Sequence, residues 1–192
     1  MTLTSPQPSS SSLKLPADVS IRPVADADMD AVAAIYGHHV RHGSASFETE
    51  PPALAEMQRR CAALRDQGYP YLVAEQDGGV VGYAYASAYR PRAAYRDTVE
   101  NSVYLRPDAI GRGAGSLLLA ALIKACEAAG FRQMIAVVGD SGNAPSVRLH
   151  QRHGFRLVGT LQSVGFKHGR WLDTVLLQRA LGDGDAVPPH RG

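Results

Sequence analysis

The stretch Glu100-Asn-Ser-Val-Tyr-Leu-Arg-Pro-Asp-Ala-Ile-Gly-Arg-Gly-Ala-Gly-Ser-Leu-Leu-Leu-Ala-Ala-Leu-Ile123 decides how this chain is read. It runs from a strand through a glycine-rich turn into an amphipathic helix. A turn of that kind at a helix start exposes backbone N–H groups and the positive end of the helix dipole, which together seat phosphate. Glycines at 111, 113 and 115 let the backbone approach an anion without interference from Cβ. Glu100 sits on the strand leading in. A phosphate cradle beside a carboxylate suggests a nucleotide-like donor and proton-transfer chemistry.

Outward from this stretch the pattern alternates between strands and helices. Residues 19–24 fit a strand. Asp26 is expected to cap a helix whose buried face carries Met29, Val32, Ala33, Ile35, Tyr36 and Val40, and which ends at Gly43. Pro51-Pro52 opens a second helix through about residue 67. Residues 69–75 and 80–89 read as strands joined by the hairpin turn Asp77-Gly78-Gly79. A fourth strand spans residues 98–105, and the helix after the glycine turn spans 116–129. An apolar strand at 134–138 precedes a short helix at 143–153 with Asn143 as N-cap. Strands at 154–166 and 171–178 close the unit around Lys167-His168-Gly169-Arg170. The order is that of a single mixed α/β domain, a central sheet with helices packed on it.

The 192 residues are 45% hydrophobic and 20% charged, with a net charge of +2. That is the composition of a globular domain with a full core. No long basic or acidic run points to nucleic acid or to an anionic membrane surface, and no segment has the run of about 20 apolar residues that spans a membrane. The two cysteines, Cys61 and Cys126, fall in helical patterns and are expected as buried free thiols in a reducing compartment. The Ser/Pro-rich residues 1–18 are expected to be a disordered tail, residues 19–181 the folded unit, and residues 182–192 a flexible C-terminal tail. The expected location is cytoplasmic.

The chain resembles the GNAT N-acyltransferases, specifically their phosphinothricin acetyltransferase-like branch. The resemblance rests on Ile21-Arg22-Pro23, Ile35-Tyr36, Ser46-Phe47-Glu48-Thr49-Glu50-Pro51-Pro52 and Tyr95-Arg96-Asp97-Thr98-Val99-Glu100-Asn101-Ser102-Val103-Tyr104-Leu105. It continues through Gly111-Arg112-Gly113-Ala114-Gly115, Asn143-Ala144-Pro145-Ser146-Val147-Arg148-Leu149-His150, Gly154-Phe155 and Gly169-Arg170-Trp171-Leu172-Asp173. These pieces occur in order across nearly the whole folded unit. The implied fold class is α/β, a single GNAT-like domain with a mixed central β-sheet flanked by helices. The implied cosubstrate is acetyl-CoA, with no metal. Its pyrophosphate would be gripped by the backbone of Gly111, Arg112, Gly113, Ala114, Gly115 and Ser116. Its pantetheine arm would pair with the backbone of Val103, Tyr104 and Leu105 and touch Asn143. Ile110 stands where the family's loop usually carries Gln or Arg.

Acyl transfer to an amine needs an unprotonated amine, a polarised thioester carbonyl and a proton for the leaving thiolate. Glu100 is the candidate general base; a surface carboxylate paired with a neighbouring arginine is the plain alternative. By resemblance, His150 is the candidate acid, and a hydrogen-bonded histidine beside the cofactor is its alternative. Arg90, Arg92, Ala93, Ala94 and Tyr95 precede the Glu100 strand. Guanidinium forks suit a carboxylate or phosphinyl group on the acceptor. Phe47, Glu48 and Trp171 are weaker candidates for pocket walls, Trp171 being more often a core residue. His38 and His42 have i, i+4 spacing but no carboxylate or cysteine at metal-site spacing; with His39 they are expected near the acceptor mouth or a subunit contact. Neither cysteine nor Ser116 has a nucleophile's context, so direct transfer in a ternary complex is expected.

The leading expectation is acetyl-CoA-dependent N-acetylation of a small amino-acid-like acceptor of the phosphinothricin or methionine sulfoximine/sulfone type. A protein or peptide N-acetyltransferase and a non-catalytic acyl-CoA-binding module remain as alternatives. The family is often dimeric, so a homodimer is a further expectation.

Overall fold

A computed structural model describes residues 19–189; the expected N-terminal tail lies outside them. The strands are β1 (Ser20–Pro23), β2 (Tyr71–Gln76), β3 (Gly79–Ala88), β4 (Thr98–Leu105), β5 (Gln133–Gly139), β6 (Arg156–Lys167) and β7 (Arg170–Ala180). The helices are α1 (Met29–His42), α2 (Leu54–Asp66), α3 (Ala114–Ala128) and α4 (Ala144–Arg152). The strands form one sheet in the order β1-β2-β3-β4-β5-β7-β6. β4 and β5 run parallel, and the other neighbouring pairs are antiparallel.

Alternation along the strands sends side chains to two cores. On one face Val99, Met134 and Leu177 pack under Leu118, Leu119 and Leu122 of α3. On the other, Val32, Ile35 and Val40 of α1 cover Tyr71, Val73, Tyr83 and Tyr104. The tyrosines of that face stack, with centroids 5.8 Å apart for Tyr71–Tyr83 and 5.3 Å for Tyr83–Tyr104. Cys61 and Cys126 are buried free thiols. The β2–β3 and β6–β7 hairpins turn through Asp77-Gly78 and His168-Gly169, all four residues at positive φ, the backbone of a two-residue primed turn.

The structure differs from the sequence reading at three places. The N-cap residue of α1 is Asp28, not Asp26; its carboxylate makes no bond to the helix, its Oδ2 instead accepting from the Ala25 amide at 2.7 Å while it pairs with Arg22. A 3-10 turn over Asp26–Asp28 intervenes, so the acid closing the turn sits two residues later than the cap expected from spacing. Helix α3 begins at Ala114, because Gly113, at φ 94°, already serves as its N-cap. Trp171 is not in the core. It is 63% exposed and meets Phe166 edge-on at 5.3 Å. Both lie at the tip of a hairpin whose outer strand, β6, ends the sheet. Beyond Leu181 the chain turns back on Arg132, which donates to the Val187 and Pro188 carbonyls and pairs with Asp183.

Candidate active site

The sheet opens where the only parallel pair among the described strands stops. β4 and β5 are in register from Thr98↔Gln133 to Asn101↔Ala136 and no further. The bond from the Arg106 amide to the Val81 carbonyl fixes the alternation beyond that point. Even-numbered residues of β4 turn their backbone toward β3, and odd-numbered ones turn it toward β5. Val103 and Leu105 therefore present N–H and C=O groups to a gap with no strand in it. Tyr104 does not: its backbone belongs to the β3 pairing and its ring to the tyrosine core. The gap is a cleft lined by Asn101, Ser102, Val103, Tyr104, Ala136, Val138 and Asn143, together with Ala45, Ser146 and His150.

At the wide end of the gap lies the glycine loop. A 3-10 turn over Pro107–Ala109 is followed by Gly111 at φ 79° and Gly113 at φ 94°, a left-handed backbone that L side chains rarely adopt. Helix α3 starts at once. The Ser116 and Leu117 amides bond back to the Gly113 carbonyl, while the N–H groups of the first turn at Ala114 and Gly115 have no intrahelical acceptor. Arg112 is exposed on the loop. The Ser116 hydroxyl is engaged by His153 Nε2 at 2.8 Å, which ties the loop to the end of α4. These elements match the needs of a pyrophosphate followed by an extended amide-bearing arm.

Glu100 lies at the narrow end, one residue before the gap opens, beside Ser87 of β3 and Ile135 of β5. It is half-buried. Burial pushes its pKa up and Arg90 opposes the shift, the direction expected of a general base working near neutrality. His150, in the wall of the cleft, is 4% exposed. Its Nδ1 donates to the Ser146 carbonyl at 2.8 Å, and its Nε2 lies 3.0 Å from Asn101 Oδ1. The Asn101 amide nitrogen donates to the Ile135 carbonyl at 3.0 Å, so Oδ1 is the atom that faces the ring. Burial lowers the imidazole pKa, with the Ser146 bond acting the other way. Asn143 caps α4 by accepting from the Ser146 amide at 3.3 Å, so it serves as cap and cleft wall together.

The family model for the acetyltransferase (GNAT) domain matches residues 21–176. The chain belongs to the GNAT acetyltransferases. It is 58% identical over 171 residues to a phosphinothricin N-acetyltransferase of Alcaligenes faecalis, covering 89% of this chain and 87% of that protein. It is 42% identical over 170 residues to an L-methionine sulfoximine/L-methionine sulfone acetyltransferase of Pseudomonas paraeruginosa, covering 88% and 98%. A crystal structure of a GNAT superfamily phosphinothricin acetyltransferase from Sinorhizobium meliloti, in complex with AcCoA, superposes with a TM-score of 0.88 at 47% identity. That match covers 91% of this chain and 95% of that one.

On the face that carries Glu100, this GNAT domain has a second cavity of about 290 Å³, walled by Tyr89, Tyr95, Thr98, Ile135, Leu176 and Gln178 among others. Tyr95 and Tyr89 meet edge-on at 5.8 Å. The Arg90 guanidinium lies over the Tyr89 ring. Arg92, Ala93 and Ala94 are exposed outside the cavity, on and before the 3-10 turn that carries Tyr95. Two contacts here are closed by the fold and have no local signal in the sequence. The bond of Asn101 to His150 spans 49 residues. His39 Nε2 donates to the Leu105 carbonyl at 2.7 Å, with its pKa lowered by burial; it therefore caps an acceptor at the edge of the gap. Among the described residues no group of three or more His, Cys, Asp or Glu side chains could hold a metal ion.

Proposed function

We propose that this GNAT enzyme is an N-acetyltransferase that moves the acetyl group of acetyl-CoA to the amino group of a small acidic amino acid, of the phosphinothricin or methionine sulfoximine/sulfone class. One observation carries the reading: the β4–β5 gap opens one residue beyond Glu100, so a thioester laid in the gap ends beside a carboxylate whose pKa is raised. The acceptor class is supported by the relatives, which are named for these substrates. Arg90, Arg92 and Tyr95 are at hand to meet an anionic group.

In this mechanism the loop amides at residues 111–116 hold the pyrophosphate, and Arg112 adds positive charge at its side. Val103 and Leu105 pair with the pantetheine amides, and Asn143 supplies a polar wall. Glu100 takes a proton from the acceptor ammonium, directly or through water, and the freed amine attacks the thioester carbonyl. The developing oxyanion is met by a backbone N–H at the gap near Val103. As the C–S bond breaks, His150 delivers a proton to sulfur. The ring does this as imidazolium, the form that satisfies both the Ser146 carbonyl and Asn101 Oδ1.

We further propose that the enzyme is a homodimer in the cytoplasm. Leu161, Val164, Phe166 and Trp171 are each about half exposed or more on the β6–β7 hairpin, and a cluster of that kind marks a contact surface. Buried free thiols suit a reducing compartment.

A thiol-release assay with acetyl-CoA tests the substrate class, with phosphinothricin, methionine sulfoximine, methionine sulfone, the common amino acids and peptide N-termini as acceptors. Saturable turnover on one of the first three supports the proposal. Turnover on peptides alone overturns the small acceptor, and acetyl-CoA binding with no turnover on any of them leaves a binding module.

A further inference from the structure

The segment between α1 and α2 crosses the sheet as a strap, and what fastens it is unusual. Lys167, the last residue of β6, is 4% exposed. Its ammonium donates to the Gly43 carbonyl at 2.9 Å and to the Ser46 carbonyl at 2.6 Å. Burying an ammonium against neutral acceptors costs more than burying an apolar side chain of the same length. The strap's position depends on more than Lys167. Tyr36 and Ser46 share a hydrogen bond between their hydroxyls at 2.9 Å, and the Glu48 amide donates to Ser46 Oγ. A Cβ at Gly139 would collide with the Ser44 carbonyl, and one at Gly165 would collide with the Phe47 ring. The strap is thus seated between β5 and β6 to within the radius of a methyl group. Ala45 lines the cleft, while Glu48 pairs with Arg60 of α2 at 2.6 Å.

We propose that Lys167 is a positioning residue for the flank of the acetyl-CoA cleft that carries Ala45. It pins residues 43–48 as a preformed wall of that cleft, so that acetyl-CoA affinity depends on a side chain that touches neither substrate. The proposal rests on the acetyltransferase reading above for its kinetic consequence but not for its structural one. The wall lies along one flank of the gap, whereas the glycine loop lies at the gap's far end and is built from other elements. None of residues 43–48 lines the cavity at Tyr89 and Tyr95, so loosening the strap separates the two substrates.

Lys167→Met keeps the length of the side chain and removes the donor. Gly165→Ala leaves Lys167 in place and displaces Phe47 from the same hairpin. Amide exchange at residues 44–48 and steady-state kinetics with both substrates are measured in each. In both variants the strap amides are expected to exchange faster. The acetyl-CoA KM should rise about tenfold, with the acceptor KM within about twofold of the parent. Unchanged strap exchange in Lys167→Met overturns the proposal, whatever the activity. So does a loss spread evenly over both substrates, or accompanied by a fall in melting temperature that matches exchange throughout the sheet. If the parent turns over none of the acceptors tested, the substrate reading fails instead, and the exchange comparison still decides the role of Lys167.

Discussion

Two residues of the site, Glu100 on one face of the sheet and His150 bonded to Asn101 on the other, carry opposite pKa perturbations from one cause. Burial raises the Glu100 carboxyl and lowers the His150 imidazole. A base with a raised pKa is active only above it, and an acid with a lowered pKa only below it. The kcat profile is therefore expected to be a narrow bell. Glu100→Gln should remove the acid limb and lower kcat by about a hundredfold or more; His150→Ala should remove the alkaline limb and leave acetyl-CoA binding intact. An alkaline limb that survives in His150→Ala assigns His150 to the cross-tie between Ser146 and Asn101 alone. The stability sign follows from the same shift. A carboxyl whose pKa is higher folded than unfolded stabilises the fold fully below the unfolded value and loses that contribution as pH rises through the folded one. Glu100→Gln should thus melt no lower than the parent at pH 8, and any gain should vanish toward pH 4. A mutant that melts lower at pH 8 would contradict a Glu100 held for chemistry at a cost in stability.

Single elements give the site its two ends. The loop between β4 and α3 works through backbone, since Gly111 and Gly113 hold left-handed φ and the helix N-terminus supplies the amides. Gly113→Val strains that backbone by about 1–3 kcal/mol. It is expected to raise the KM for acetyl-CoA with little effect on the acceptor KM, the same direction as the strap variants but from the other end of the cleft, as titration calorimetry with CoA would check independently. This element was legible in sequence because a strand, three alternate glycines and a helical pattern are local signals. So were the two hairpin turns and the matching face of α1. What sequence could not reveal are contacts closed by the fold: His39 to the Leu105 carbonyl, Lys167 to Ser46, and His150 to Asn101. Their partners lie 66, 121 and 49 residues away. The opening of β4 from β5 was likewise hidden, because apolar alternation reads the same in a paired strand as in one that has lost its neighbour.

For the whole molecule, the sheet ends at β6, whose outer edge is unpaired and whose hairpin exposes Phe166 and Trp171. Hydrophobicity alone sends a tryptophan to the core, and it misled here because an apolar side chain exposed on a hairpin reads the same in sequence as a buried one. Trp171→Glu with Phe166→Glu is expected to convert a dimer to a monomer in sedimentation velocity while leaving the melting transition cooperative. A parent that sediments as a monomer at micromolar concentration contradicts the dimer. The cavity on the Glu100 face has Val158 of β6 in its wall. Monomerisation should therefore raise the acceptor KM as well.

The central claim is that the β4–β5 gap delivers a thioester to Glu100 for transfer to a small acidic amine. Initial rates of CoA release from acetyl-CoA with phosphinothricin, in the parent and in Glu100→Gln, test it most directly, with CoA affinity measured on the same samples. Saturable turnover in the parent, a fall of about a hundredfold or more in the mutant and equal CoA affinity in both are predicted. Equal turnover in parent and mutant would contradict Glu100 as the base, and CoA binding with no release in either would contradict the acceptor.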